Sequence, residues 1–413
     1  MNELRDYQNK AIDDIRFHFR RGKKRVLLVA PTGSGKTVIA CEMMSKTKEK
    51  YGFNLFVAHR RELIMQTSRK LAEFKMPHGV LMAQKSPNAF ASTQVASIQT
   101  FNARIDREDF IKPIATLIIL DEAHRSISNS FKKLIEQYPE AFIVGLTATP
   151  IRADGKGLGG IYDELVECGS IRSLTNEGYL VKNRIVAPSI PDLQKIRIVA
   201  GDYDKGQLNK RMNTPKLVGD IVSHWVKYGE NRPTVVFASS IAHSKYISNI
   251  FNHNGIPSGH IDGVIDDEIK VLCNCMVLTE GWDEPKVSCV ILARPTKSYG
   301  MYLQMIGRSL RPYPNKVDTL IIDHSGAVYE HGFPEDVPKW TLKPTSKKEK
   351  ELKIKEKVEK QPLTCTQCHF VYKPVKDDSS CPNCSHQPTR KEKLLLVKEG
   401  RLIELPKIKP NSH

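Results

Sequence analysis

The densest concentration of chemistry-bearing residues lies near the amino terminus, at Ala30-Pro31-Thr32-Gly33-Ser34-Gly35-Lys36-Thr37. An apolar run, Val26-Leu27-Leu28-Val29, precedes it and a helix-compatible stretch follows. A glycine-rich turn between strand and helix lets backbone N–H groups encircle phosphate oxygens at the positive end of the helix. Thr32, Gly33, Ser34 and Gly35 suit such a cradle. Lys36 supplies a cation for the outer phosphates and Thr37 a hydroxyl ligand for Mg2+. Ala30 stands where the strict pattern has its first glycine.

A second apolar run, Leu117-Ile118-Ile119-Leu120, delivers Asp121-Glu122-Ala123-His124 at its end, where open α/β sheets present ligands. Asp121 is expected to share Mg2+ with Thr37, and Glu122 to orient and deprotonate an attacking water. His124 completes this candidate catalytic group. The chemistry implied is hydrolysis of a nucleoside triphosphate with the help of Mg2+.

The third constellation is Cys365-x-x-Cys368 and Cys381-x-x-Cys384, two knuckles separated by twelve residues. Such pairs can place four thiolates tetrahedrally around a structural Zn2+. Disulfides are the alternative, disfavoured by the paired spacing and by the reducing compartment expected here. His369 and His386 read as surface residues. Cys41, Cys168, Cys273, Cys275 and Cys289 lie in or beside apolar stretches and read as inert packing.

The elements that must position these groups are short apolar runs alternating with helix-compatible segments. Leu55-Phe56-Val57-Ala58 and Ile143-Val144-Gly145-Leu146 join the two runs already named; a second series starts at Thr234 and continues through Lys270-Val271-Leu272, Ser288 to Leu292 and Thr319 to Ile322. Such alternation predicts parallel sheets covered on both faces. The stretch from Ile151 to Arg232 reads as a connector with irregular elements. The fold class expected is α/β: two tandem parallel-sheet domains with a carboxyl-terminal four-cysteine zinc ribbon. The divisions expected are 1–167, 168–342, a charged linker at 343–361, and a tail at 362–413.

Composition bounds the partners. A formal net charge of +17 over 413 residues favours a polyanion. No apolar run reaches the roughly 20 residues that a membrane helix needs. The opening Met1-Asn2-Glu3-Leu4-Arg5-Asp6 lacks the pattern of a secretory signal, so a cytoplasmic location without membrane partners is expected.

The phosphate loop and the acidic tetrad together resemble those of superfamily II helicases and translocases of the DEAH-box-like kind, and the family's remaining motifs follow in order. Leu4-Arg5-Asp6-Tyr7-Gln8 resembles its adenine-reading motif, which implies base contacts from Arg5 and Gln8. Ala58 to Leu63 and Ala96 to Thr100 resemble its strand-contacting motifs, with Arg60 and Thr100 on the sugar-phosphate backbone. Thr147-Ala148-Thr149-Pro150 resembles the segment that couples hydrolysis to strand movement. Leu278-Thr279-Glu280-Gly281-Trp282-Asp283 resembles the nucleotide-facing motif of the second domain, which implies contacts from Gly281 and Asp283. Gln304-Met305-Ile306-Gly307-Arg308-Ser309-Leu310-Arg311 matches its QxxGRxxR. There Gln304 would couple, and Arg308 and Arg311 would neutralise charge building on the γ-phosphate.

The resemblance spans roughly residues 1–342 and implies two RecA-like domains. Its finer form looks most like RadD-type bacterial proteins, a family implicated in DNA repair. DNA is therefore the leading partner and RNA the alternative, with a repair protein as a further candidate. One departure stands out: relatives carry a helix between the strand near His260 and the one near Val271, where only 264–269 intervene here. The expected consequence is a shortened second domain with impaired unwinding.

Overall fold

In a computed structural model of the chain, residues 4–83, 88, 90–150, 157–261, 269–279, 281–336, 339–343, 362–374, 378–387, 395–398 and 401–404 are described. They form two compact units. The first comprises Met1–Leu180, Glu280–Asp283 and Val337–Ser346, and the second Val181–Thr279, Glu284–Asp336 and Lys347–His413.

In the first unit the apolar runs become strands β1 (Arg25–Val29), β2 (Asn54–Ala58), β3 (Gly79–Leu81), β4 (Thr93–Ser97), β5 (Leu117–Leu120), β6 (Phe142–Thr147) and β7 (Glu164–Glu167). Between them lie helices α1 (Asp6–Arg20), α2 (Lys36–Lys48), α3 (Arg61–Glu73), α4 (Ile98–Arg104), α5 (Asn129–Glu136) and α6 (Ile171–Asn176). The sheet order is β3-β4-β2-β5-β6-β1-β7, and every pairing is parallel.

Successive strand residues face opposite sides, so a strand covered on both faces must be apolar throughout. Val26, Leu28, Leu117 and Ile119 accordingly enter one core with α1, α2 and α3. Leu27, Ile118 and Leu120 enter the other with α4 and α5, where Trp340 and Leu342 also pack. Gly145 leaves room on this second face for the fully buried ring of Tyr162. The unit continues past 167 because Cys168 belongs to its core and the ring of Tyr179 lies against Tyr7, with centroids 4.9 Å apart.

The second unit contains β8 (Lys182–Val186), β9 (Ile198–Val199), β10 (Asp202–Tyr203), β11 (Thr234–Ala238), β12 (Ser258–Ile261), β13 (Val271–Asn274), β14 (Cys289–Ala293) and β15 (Asp318–Asp323). Its helices are α7 (Lys205–Met212), α8 (Pro215–Tyr228), α9 (Ile241–His253), α10 (Tyr299–Ile306) and α11 (Ala327–His331). The main sheet runs β12-β13-β11-β14-β15-β8, again wholly parallel.

The supposed connector is more regular than its sequence suggests: β7 joins the first sheet and β8 the second. Both are edge strands with only part of each buried, so neither shows a continuous apolar run. The β8 edge is fastened by ion pairs of Arg184 and Arg232 with Asp318 and Glu230, at 2.5 to 2.8 Å.

Residues 262–268, within which most of the 264–269 departure falls, lie outside the described residues. The strands flanking them are parallel neighbours, with Ser258 opposite Val271 and Ile261 opposite Asn274. Because β12 is only four residues long, the chain must step back only ~10 Å along the sheet.

The cysteine segment adds β16 (Leu363–Thr364) and β17 (Val371–Tyr372), with β18 (Leu395–Lys398) and β19 (Arg401–Glu404) forming a further antiparallel pair. It packs on the free edge of the second sheet: Val186 bridges to Phe370, and the Ala187 N–H donates to the carbonyl of His369 at 3.0 Å. His369, expected at the surface, is half-buried, with its ring edge-on to Tyr228. Among the described residues no helix is long and apolar enough to cross a membrane.

A Cβ at position 145 would run into the Tyr162 hydroxyl and ring. Gly145→Ala is expected to destabilise the first unit by about 1–3 kcal/mol, read as a lowered thermal midpoint with nucleotide absent.

Candidate nucleotide site and cysteine knuckle

Because all strands of the first unit are parallel, their carboxyl ends share one edge, and β5, β6 and β1 are consecutive there. The phosphate loop leaves β1, the acidic pair leaves β5, and Thr147 ends β6 between them. The Ala30 N–H donates to the Thr147 carbonyl at 2.9 Å, so strand pairing continues into the first residue of the loop.

The loop then turns tightly. Ser34 donates from both its N–H (3.2 Å) and its hydroxyl (2.7 Å) to the Pro31 carbonyl. Gly33 and Gly35 take φ of 90° and 84°, a left-handed backbone that side chains disfavour. Gly35 is the N-cap of α2 and brings no side chain to it, so the helix start is suited to an anion supplied from outside. The Lys36 amine folds over the loop and donates to the Ala30 carbonyl at 3.1 Å.

Helix α1 clasps this loop from the side. The Tyr7 hydroxyl and Gln8 Nε2 both donate to the Ser34 carbonyl, at 2.8 and 3.0 Å. Gln8 Oε1 accepts the Arg5 N–H at 3.0 Å, and the Arg5 guanidinium lies 4.9 Å from the centre of the Tyr179 ring. Gln8 therefore spends one donor and one acceptor inside the protein, leaving one of each for a ligand. Tyr7 and Tyr179 were not singled out from the sequence; the aromatic beside Gln8 was the available sign.

Asp121 and Glu122 are both buried, 7% and 6% exposed. Asp121 Oδ1 accepts the Glu122 N–H at 2.9 Å. Glu122 takes φ 49° and ψ 51°, a left-handed conformation costing roughly 1–2 kcal/mol for a residue with a side chain. His124 Nδ1 lies 3.3 Å from Glu122 Oε2 and 3.5 Å from Thr147 Oγ1. The Thr147 hydroxyl donates to the Thr149 carbonyl at 2.8 Å. A continuous polar chain thus runs from the acid through His124 to Thr147 and Thr149. A carboxylate at Asp121 with a hydroxyl at Thr37 offers the hard oxygen donors that Mg2+ takes, and a buried carboxylate at Glu122 can accept a proton from water.

Further along the same edge, Arg60 follows β2 and Thr100 lies in the first turn of α4 after β4. Ala58 and Ser97 are paired residues of these neighbouring strands. Gln99, unassigned from the sequence, ties the two ends together: its Nε2 donates to the His59 carbonyl at 3.0 Å and its Oε1 accepts the Ser97 hydroxyl at 2.7 Å. Gly281, with φ 75°, and the exposed Asp283 are grouped with this unit.

Gln304, Arg308 and Arg311 belong to the second unit. Arg308 is buried, donating to the Thr279 carbonyl at 2.8 Å and to the Gln304 carbonyl at 3.4 Å. Burial pushes the Arg311 guanidinium down to about 10. Burial, with the like charges of Arg311 and Arg232, brings Lys316 down to about 8.

The four tail cysteines converge, with their sulfurs all within 4.8 Å of one another. Cys365 and Cys384 are 3.5 Å apart and Cys368 and Cys381 3.6 Å. Tetrahedral thiolates around Zn2+ stand ~3.8 Å apart, so the spacing fits a metal rather than disulfides, and all four are free thiols.

The two knuckles repeat one backbone pattern. His369 N donates to Cys365 O and Ser385 N to Cys381 O; Cys365 N donates to Phe370 O and Cys381 N to His386 O. His369 and Ser385 both take positive φ. Burial works against ionisation of Cys368, but the Asn383 amide, the Phe370 N–H and neighbouring thiols bring it down to about 7.

The family described as the res subunit of type III restriction enzymes matches residues 1–152, and the helicase conserved C-terminal domain matches residues 216–313. A 51.5 kDa protein of a Lactococcus phage (isolate 7-9) is 32% identical over 403 residues, covering 93% of this chain and 83% of its own. A Saccharomyces cerevisiae protein named as the ATP-dependent helicase IRC3 is 30% identical over 357 residues, covering 78% of this chain and 52% of its own. This chain therefore spans about half the length of the yeast relative. A fragment assigned to the HsdR subunit of a type I restriction enzyme from Vibrio vulnificus YJ016 superposes with a TM-score of 0.62 at 22% identity, covering 80% of this chain and 67% of that one; at that identity the likeness concerns the fold.

Fold and matches together define an α/β nucleotide hydrolase with two RecA-like sheets. The chain belongs to the superfamily II helicases, and by that membership it is an ATP-hydrolysing enzyme.

Two outcomes are expected. Glu122→Gln should lower ATP turnover by at least about a hundredfold, the scale of a lost general base, while fluorescent-nucleotide binding persists. Metal analysis of the purified chain should find one zinc per molecule, and Cys368→Ser should lose it and melt at lower temperature.

Proposed function

We propose that this chain is an ATP-driven DNA translocase or helicase. The observation that carries the reading is the shared edge of the first sheet, where the phosphate loop, the acidic pair and the Arg60–Thr100 region lie on adjacent strand ends. In this reading Lys36 and the loop N–H groups hold the triphosphate, and Thr37 and Asp121 hold Mg2+, which supplies charge neutralisation at the phosphates. Glu122 takes a proton from the attacking water. His124, Thr147 and Thr149 pass the state of that carboxylate to the segment after β6, with Gln304 as a coupling residue of the second unit.

Arg5 and Gln8 contact the base, and Gly281 and Asp283 the ribose side of the nucleotide. Arg308 and Arg311 stabilise developing charge on the γ-phosphate. Arg60 and Thr100 touch the sugar-phosphate backbone. Zn2+ at Cys365, Cys368, Cys381 and Cys384 closes the knuckle as a structural metal.

DNA is favoured over RNA by the match to a restriction-enzyme subunit, together with the +17 net charge. A place among DEAH-box-like, RadD-type repair enzymes, with a repair-protein partner, is supported by the motif forms alone. The nine free cysteines suit a reducing cytoplasm. A clamp that grips nucleic acid without unwinding it is the second reading, favoured by the few residues, 262–270, that separate β12 from β13.

ATP turnover with single-stranded, duplex and forked DNA, against RNA of matched length, tests the proposal. DNA should stimulate turnover, and Lys36→Ala should abolish it without unfolding the chain. Stimulation by RNA alone would move the substrate, and undiminished turnover in the Lys36 variant would remove the site.

A further inference from the structure

After β8 and into the first turn of α8 the chain builds a small lobe, 191–216, that carries none of the residues assigned above. Strands β9 and β10 and helix α7 close over Tyr203, Leu208 and Met212, with Leu193, Ile196 and Leu217 packed around them. The lobe is anchored on the carboxyl ends of two central strands of its own sheet. Asp202 accepts the Thr296 hydroxyl at 3.0 Å and the Lys297 N–H at 2.7 Å, just past β14, while Asn209 accepts the hydroxyl of Ser240, just past β11. That edge is where parallel α/β sheets carry ligands.

The outer surface of the lobe has an unusual make-up. Its hairpin tip is Ile198-Val199-Ala200-Gly201, with Ile198 49% and Val199 46% exposed and the turn closed by Ala200 and Gly201 at φ 50° and 84°. The tip thus bears no polar side chain. All three carboxylates of the lobe are engaged: Asp192 with Arg211 at 3.2 Å, Asp202 as above, and Asp204 by capping α7 through the Gln207 N–H at 2.9 Å. Lys195, Arg197, Lys205 and Lys210 are exposed. An apolar point amid basic side chains matches the end of a duplex, where a base-pair face is flanked by phosphates. A protein partner fits less well, since two exposed aliphatic side chains fall far short of the ~1,000 Å2 that a specific protein interface needs.

We propose that the 191–216 lobe is a second DNA-contact element. Ile198 and Val199 press against the terminal base pair where duplex opens into single strands, and Lys195, Arg197, Lys205 and Lys210 hold the adjoining phosphates. The purpose of this contact rests on the DNA-motor reading, but the contact itself does not depend on ATP.

The test uses the full chain and a DNA fork with 2-aminopurine in the terminal base pair, without nucleotide. Wild-type protein should raise the fluorescence as that base unstacks. Ile198→Ser/Val199→Ser should abolish the rise while melting as wild type does, because both side chains are at the surface. Lys195→Glu/Arg197→Glu should weaken fork binding about tenfold or more and flatten its salt dependence. Equal fluorescence from wild type and the serine variant, or a response to an RNA fork alone, overturns the proposal. If the motor reading fails instead, DNA leaves ATP turnover unstimulated while the fluorescence difference between the two proteins persists.

Discussion

The parallel pairing of β5, β6 and β1 is the constraint from which the candidate nucleotide site follows. Parallel strands end on the same edge, so three segments distant in sequence arrive side by side without any loop having to carry them there. The Ala30–Thr147 hydrogen bond extends the pairing into the phosphate loop and fixes the cradle to the strand that ends between it and the acidic pair. Glu122 reaches its place by a left-handed turn, held through contact with His124 and, beyond it, Thr147. Backbone strain of this sort persists where surrounding structure over-determines it. Glu122, His124 and the segment after β6 are accordingly one polar assembly.

Much of this was legible in the residues. Buried central strands such as Val26–Val29 and Leu117–Leu120 must be apolar on both faces and announce themselves as continuous runs. The tight turn between β1 and α2 is readable despite Ala30, because Gly33 and Gly35 supply the left-handed backbone that it needs. What escaped is what sequence cannot express locally. The clasp of Tyr7 and Gln8 on Ser34 joins residues 26 or 27 positions apart, and the left-handed turn at Glu122 has no glycine to signal it. Edge strands β7 and β8 hide among charged residues because water covers part of each. The 191–216 lobe has a core of a few side chains inside a polar, basic stretch, so composition alone made it a connector.

The cysteine knuckle is fastened to the edge of the second sheet rather than trailing from it. Its backbone meets β8 through Ala187 and His369, and Tyr329 touches Thr364 through their hydroxyls. The residue that follows the first knuckle therefore supplies the acceptor for the sheet edge. Metal-dependent ordering of the thiols would act on the β8 edge directly, which gives a small, loop-rich segment a structural role larger than its size suggests.

The most direct measurement is calorimetric binding of a non-hydrolysable ATP analogue, with and without Mg2+, to wild type and to Gly35→Ala. Position 35 requires φ 84°, and a Cβ there would lie 2.5 Å from Gln8 Nε2. The cradle account predicts Mg2+-dependent binding by wild type and a loss of at least about tenfold in the variant, which should still unfold cooperatively. Wild-type affinity in Gly35→Ala would contradict it.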